Sequence, residues 1–159
     1  ELMDDSMRWG DVHEKIVKQI FIAILDTLRR VSERIPIEPE DIGTILIEHQ
    51  PELVKMYDGA YRALESDNPD RYRHCATSMR EIVRKMLGGS KEETRRILKD
   101  YVKSEKDIKI LMSLQQLVNS IYEAFNKGVH HEIQHETAVL AVQATELIIY
   151  CLYHLKRRI

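Results

Sequence analysis

The chain has 159 residues, of which 43% are hydrophobic and 31% are charged. This composition is typical of a folded, soluble domain and excludes a disordered or fibrous protein. The formal net charge of −2 excludes a globally basic nucleic-acid binder, although a local basic face stays open. Cys75 and Cys151 are too few for a disulfide framework, and the acidic N-terminus does not resemble a secretory leader. We therefore expect a cytoplasmic protein.

Apolar residues recur at helical spacing along almost the whole chain, and no stretch alternates as a half-buried strand does. Glycines and prolines divide this pattern into helices. The predicted helices cover roughly residues 11–34, 40–49, 51–66, 70–87, 90–101, 105–125 and 136–156. The expected fold is an all-α bundle of about six helices, in a single domain of residues 1–159 with an N-terminal helical extension over 1–50.

The last predicted helix is apolar on almost every side between residues 138 and 155. A membrane span has this length. However, Gln143, Thr145, Glu146 and His154 interrupt the apolar run. A helix that is apolar on several faces is more often central in a bundle, or shared with a second subunit, and we favour that interpretation.

The segment between the last two long helices contains Asn126 and His130 around Gly128, a residue that commonly ends a helix. An asparagine side chain both donates and accepts hydrogen bonds, and a histidine changes its charge near neutral pH. Together they would position and deprotonate a hydroxyl such as a ribose 2′-OH, or protonate a leaving oxygen. The alternative is a helix-capping asparagine followed by a solvated histidine.

Three arginines, Arg73, Arg80 and Arg84, share one face of the predicted helix 70–87 with Thr77, because their spacing is i, i+7 and i+11. The guanidinium group binds phosphate well because it is always charged and can donate two parallel hydrogen bonds. We expect the opposite stripe to face the core; it comprises Tyr72, Cys75, Ala76, Met79, Ile82 and Met86. The alternative for the arginines is an ordinary solvated face.

A second chemical possibility is the literal H-E-x-x-H pattern formed by His131, Glu132 and His135. On a helix, two histidines at this spacing bind zinc from one face, and the glutamate activates water. No third ligand stands at a recognised distance, although folding would allow Glu136, Glu146, His49 or His154 to supply one. The alternative is a pair of solvated histidines that open the last helix.

The segments Arg71–Leu87 and Asn126–Ile133 together resemble the HEPN superfamily, in particular bacterial and archaeal members that carry an Asn-Lys-Gly-Val-His corner before their final helix. The resemblance covers roughly residues 52–156. It implies a helical bundle that is usually dimeric and is often a metal-independent ribonuclease of defence or toxin–antitoxin systems. The family motif is an arginine, four to six residues and then a histidine, often with an asparagine directly after the arginine.

In this chain Asn126 and His130 match the family asparagine and histidine, whereas the arginine position falls on Phe125, or on Ala124 or Glu123 at the longer spacings. The resemblance thus implies RNA binding with endoribonuclease activity and no cofactor, with His130 as acid or base and Asn126 as its orienting partner. Because no arginine stands at the motif position, we expect Arg80 and Arg84 of the helix 70–87 to act as phosphate clamps. We expect these residues to form a basic RNA-binding groove together with Arg73, Lys127 and His131. We expect a homodimer, an antitoxin or larger-protein partner, and no membrane. Two alternatives stay open: a non-catalytic docking module with a degenerate site, and a metal-dependent hydrolase built on His131 and His135.

Overall fold

The computed structural model describes residues 42–127 and 134–156, with the side chains of the second range described as far as Tyr153. The predicted helix 11–34 lies outside the described residues, as do His130, His131 and Glu132.

The described residues form six α-helices and contain no strand, which confirms the predicted all-α bundle. The helices are α1 (Ile42–His49), α2 (Val54–Glu65), α3 (Arg71–Leu87), α4 (Lys91–Tyr101), α5 (Glu105–Asn126) and α6 (Gln134–Lys156). A short 3-10 turn, Pro51–Leu53, precedes α2, so the predicted helix 51–66 has two parts. The other predicted ends in this region agree to within about two residues.

The helix ends are fixed by the turn and capping residues that the sequence places there. Before α3, the Asn68 side-chain oxygen accepts a hydrogen bond from the Asp70 backbone N–H at 2.9 Å. After α3, Gly88 adopts a positive φ of 83°, a value that suits glycine. A capping box begins α4, since the Ser90 hydroxyl oxygen accepts a hydrogen bond from the Glu93 backbone N–H at 3.2 Å. These local contacts explain why the boundaries were predictable.

The core lies where α3, α5 and α6 pack against one another, and α2 covers a further side of α3. The predicted inward stripe of α3 is buried at Cys75, Ala76, Met79, Ile82 and Met86, whereas Tyr72, in the first turn, is only half-buried. Helix α5 runs antiparallel to α3, because Arg80 contacts Tyr122 while the Leu87 end of α3 lies near Gln115.

Helix α6 is the most apolar element. The segment Gln134–Tyr153 is long and apolar enough to cross a membrane by length and composition alone. However, 67% of its most apolar window is buried inside the bundle, and Ile148, Ile149 and Tyr150 are at most 1% exposed. The helix therefore serves as a central core helix, as predicted.

Candidate functional site

A cavity of about 370 Å³ lies between the C-terminal halves of α3 and α5, next to the turn that leads into α4. It is lined by Arg80, Val83, Arg84, Gly88, Gly89, Gln115, Asn119, Tyr122 and Glu123. Its volume falls within the range of about 300–1,000 Å³ that is usual for small-ligand sites. We call this feature the α3–α5 cavity.

The two arginines that the sequence singled out as clamps both line the α3–α5 cavity and share one carboxylate. Arg80 lies 2.7 Å from Glu81 Oε1, and Arg84 lies 3.7 Å from the same oxygen. The Arg80 guanidinium also lies over the Tyr122 ring, 4.6 Å from its centroid, and its side chain is 30% exposed. Arg84 is more open, with 57% of its side chain exposed. Because one carboxylate serves two guanidinium groups, the pair keeps capacity to bind an anion.

The opposite wall comes from a polar stripe on α5. Gln115, Asn119, Tyr122 and Glu123 are spaced i, i+4, i+7 and i+8, so they project from one face of the helix. The sequence analysis did not single out any of the four as a site residue, and it named Glu123 only as a position at which the HEPN arginine would fall. The signal that would have found them is this run of polar side chains at helical spacing on one face of the helix.

Two buried hydrogen bonds in series connect the α5 wall to the end of α3. The Gln115 amide nitrogen donates to the Thr94 hydroxyl oxygen at 2.8 Å, and the Thr94 hydroxyl donates to the Leu87 carbonyl at 2.8 Å. Thr94 is fully buried and Gln115 is 7% exposed. Hydrogen bonds that satisfy buried polar groups also hold them in place. Gln115 therefore enters the cavity with its orientation already set.

The turn at Gly88 and Gly89 closes the third side of the cavity. A Cβ atom at Gly88 would lie 2.4 Å from the side-chain Cδ of Glu93. The Glu93 carboxylate accepts a hydrogen bond from the Gly89 backbone N–H at 3.1 Å. The turn thus combines a backbone that requires glycine with a carboxylate that holds it in place.

The other candidate residues that the structure describes, Asn126, Lys127 and Arg73, do not line the α3–α5 cavity. Asn126 ends α5 four residues after Tyr122, about 6 Å further along the helix on the same face, and it is exposed. Lys127 is exposed and donates its backbone N–H to the Glu123 carbonyl at 3.0 Å. Arg73 pairs with Asp70 at 3.1 Å. His130 and His131 lie outside the described residues.

Residues of the alternative metal site have other contacts where they are described. The His135 ring meets the Tyr72 ring edge to face, with centroids 5.8 Å apart. His49 stacks on Tyr153 at 4.6 Å, and Glu146 accepts hydrogen bonds from tyrosines. Among the described residues, no three histidine, cysteine or acidic side chains are grouped so as to hold a metal ion.

A second polar cluster, which the sequence analysis did not find, joins α2 to the middle of α6. The hydroxyls of Tyr57 and Tyr61 both donate to Glu146 Oε1, the first at 2.7 Å. Burial, together with the hydrogen bond to Glu146, raises the pKa of Tyr61 to about 12 and raises the pKa of Tyr57 further. The two tyrosines are four residues apart, which places them on one face of α2 and was the available signal.

Both cysteines are buried, which agrees with the prediction that Cys75 lies on the inward stripe of α3. Burial raises the pKa of the Cys75 and Cys151 thiols to about 12. Since the thiolate is the reactive form, neither side chain is an activated nucleophile.

Residues 46–93 match a protein family described as predicted pPIWI-associating nuclease. The match covers less than a third of the chain and runs from α1 to the start of α4, so it includes Arg80, Arg84 and the Gly88 turn. No curated protein matches the chain. No solved structure matches it either. The chain is therefore similar, over that segment, to a predicted nuclease family.

Proposed function

We propose that this chain is a nuclease that binds RNA through the α3–α5 cavity. The observation that carries the proposal is the placement of Arg80 and Arg84 side by side on a cavity whose opposite wall holds Tyr122 and two amides. Arginine pairs suit phosphate, and aromatic rings and amides suit the bases of unpaired RNA. The similarity of residues 46–93 to a predicted nuclease family supports the same class of activity.

The proposed chemistry needs no metal. Arg80 and Arg84 hold a phosphodiester and stabilise the negative charge that develops on its oxygens in the transition state. His130, oriented by Asn126, deprotonates the ribose 2′-hydroxyl or protonates the departing oxygen, as in HEPN ribonucleases. The resemblance to the HEPN superfamily is what assigns these two roles, and the exposed position of Asn126 at the end of the cavity face is compatible with them.

The test is cleavage of a structured RNA by the purified chain in the presence of a chelator. We expect cleavage by the wild type, a loss of about 10²- to 10⁴-fold in His130→Ala, and a loss of comparable size in Arg80→Ala. Arg62→Ala is the matched control, because Arg62 is an exposed helical arginine on α2 and does not line the cavity. Activity that survives His130→Ala, or an inactive wild type, refutes the catalytic proposal. Circular dichroism of each variant separates lost activity from lost fold.

A second candidate function is a non-catalytic module that docks a larger protein. The specific observation is Phe125, which stands at the arginine position of the HEPN motif and is half-buried. The matching family is described as associating with pPIWI, so a pPIWI protein is the partner to test. Co-purification with such a protein, combined with no RNA cleavage by the wild type alone or in the complex, favours docking over catalysis. RNA cleavage by the isolated chain favours the nuclease.

The homodimer and the metal-dependent hydrolase are further proposals that simple measurements decide. Light scattering of the purified chain gives its mass in solution, and twice the monomer mass supports the homodimer expected from the HEPN resemblance. Metal analysis of untagged protein tests the hydrolase built on His131 and His135. Stoichiometric zinc supports it, and its absence together with chelator-resistant cleavage rejects it.

A further inference from the structure

We infer that the α3–α5 cavity takes a guanine base of its RNA ligand, with Glu123 as the residue that recognises it. The inference rests on the proposed function, because it assigns base specificity to the same cavity. It follows from the hydrogen-bonding groups that the cavity wall presents.

The α5 wall is rich in acceptors. One N–H of the Gln115 amide is already engaged with Thr94 at 2.8 Å, so the amide oxygen and the second N–H are left for a ligand. Glu123 contributes a carboxylate, which accepts and does not donate when ionised. Asn119 lies between them and offers both a donor and an acceptor. The Glu123 carboxylate is the one group among these three that can only accept, so a base that binds beside it must present donors to it.

Guanine is the base that presents two adjacent donors, N1–H and the N2 amino group, on its Watson–Crick edge. A carboxylate has two oxygens at a spacing that accepts both in parallel, and such charge-assisted bonds are about twice as strong as neutral ones. Adenine and cytosine each offer one amino group beside an acceptor, and uracil offers one imide N–H between two acceptors. Each of these would set a ring acceptor or carbonyl against the carboxylate.

The presence of a carboxylate in this cavity also argues for a base rather than for phosphate alone. Glu123 repels phosphate, so a site that served only the backbone would be weakened by it. The Watson–Crick edge of guanine instead donates hydrogen bonds to the Glu123 carboxylate, so the same negative charge favours binding. Arg80 and Tyr122 are already stacked at 4.6 Å and give the base a flat surface to pack against, while the N–H donors of Arg80 and of the more exposed Arg84 bind the phosphate.

The experiment titrates the full chain with guanosine, inosine, adenosine, cytidine and uridine 5′-monophosphates and measures affinity by calorimetry. We expect guanosine monophosphate to bind tightest. Inosine monophosphate, which lacks only the N2 amino group, should bind about tenfold more weakly, because a bidentate base contact gives discrimination of this order. Glu123→Gln should abolish the difference between the two, and the matched control Glu92→Gln, an exposed glutamate on α4, should keep it.

Equal affinity for guanosine and inosine monophosphates, no binding of either, or a preference that survives Glu123→Gln overturns the inference. The proposed function is judged separately, by the dependence of RNA cleavage on His130 and Arg80. Cleavage that depends on both residues but shows no guanine preference would leave the nuclease standing and remove the guanine site. Guanosine monophosphate binding through Glu123 without any RNA cleavage would support the guanine site and remove the nuclease.

Discussion

Two glutamates on neighbouring helices, Glu146 and Glu81, place their carboxylates in different surroundings. Glu146, in the middle of the apolar α6, accepts hydrogen bonds from two neutral tyrosine hydroxyls of α2. Glu81, on α3, lies beside two guanidinium groups, 2.7 Å from Arg80 and 3.7 Å from Arg84. The Glu146 carboxylate accepts from two neutral hydroxyl groups, whereas the Glu81 carboxylate is shared between two cations that line a cavity.

Under the proposed function, this difference separates a structural polar cluster from a ligand-binding one. The Tyr57–Tyr61–Glu146 cluster ties two helices together within the bundle, and none of its members lines the α3–α5 cavity. Arg80 and Arg84 line that cavity, and the shared Glu81 carboxylate neutralises them only partly. Perturbing the first group should therefore change stability, and perturbing the second should change binding.

The largest expected effect comes from breaking the tyrosine cluster. Glu146→Ala leaves two tyrosine hydroxyls without their acceptor, and we expect the free energy of unfolding to fall by about 2 to 3 kcal/mol. Denaturant titration measures this loss, and RNA affinity at a temperature where the variant is folded should stay unchanged. The control is Glu65→Ala, an exposed glutamate at the end of α2, for which we expect a change within about 0.5 kcal/mol. A loss no larger than that of the control contradicts the structural role of Glu146.

The turn beside the cavity gives the next effect. Gly88→Ala forces a side chain onto a backbone with φ of 83° and against Glu93, so we expect about 1 to 3 kcal/mol of destabilisation. Gly59→Ala is the matched control, because no atom lies within 4 Å of the added Cβ there. In the middle of a helix this control should stabilise by about 0.5 to 1 kcal/mol. Changes of the same sign in both variants would contradict the special conformation of Gly88.

A smaller effect, on RNA affinity, is expected for the arginines that line the α3–α5 cavity. Glu81→Gln removes the carboxylate that competes with phosphate for Arg80 and Arg84, so RNA should bind about two- to fivefold more tightly, equivalent to about 0.4 to 1 kcal/mol for a partly exposed pair. Fluorescence anisotropy with a labelled RNA gives the affinity, and Glu92→Gln serves as the control. Weaker binding in Glu81→Gln would mean that Glu81 positions the arginines instead of competing for them.

The smallest effect is a pH dependence of the tyrosine cluster. The pKa of Tyr61 is raised from 10.0 to about 12 in the folded chain, so its stabilising contribution is complete below pH 10 and is lost as the pH rises toward 12. Thermal melts between pH 9 and 12 should therefore show falling stability, with a gentler decline in Tyr61→Phe. The buried thiols act in the same direction, since the pKa of Cys75 is also raised to about 12. An identical decline in Tyr61→Phe contradicts the assignment to Tyr61.

The helix boundaries were predictable because the contacts that begin and end each helix are local. Ser90 with Glu93, Gly88, and the Asn68 turn each end or begin a helix through contacts within a few residues. The apolar stripe of α3 was predictable for the same reason, since helical spacing alone places Met79 and Ile82 on one face. Tyr72 departs from full burial because it stands in the first turn of α3, against the exposed His135.

The candidate site was predictable on one side only. Arg80 and Arg84 follow from their spacing on α3, but their partner Tyr122 comes from a helix some forty positions later, and sequence spacing does not specify which helices pack together. The contact of Glu81 with Arg84 follows from their i, i+3 spacing, but its contact with Arg80 does not, because adjacent residues on a helix do not normally face each other. The Glu146 cluster was missed because its three members come from two helices 85 to 89 positions apart.

The central claim, that Arg80 and Arg84 bind RNA phosphates, is tested most directly by the salt dependence of RNA affinity. The slope of log affinity against log salt concentration counts the phosphates that the protein neutralises, at about 0.7 per contact for single strands. We predict that the double variant Arg80→Ala, Arg84→Ala lowers the magnitude of this slope by about 1.4, while the exposed pair Arg62→Ala, Arg96→Ala leaves it unchanged. Equal slopes for the wild type and the Arg80, Arg84 variant would contradict the claim.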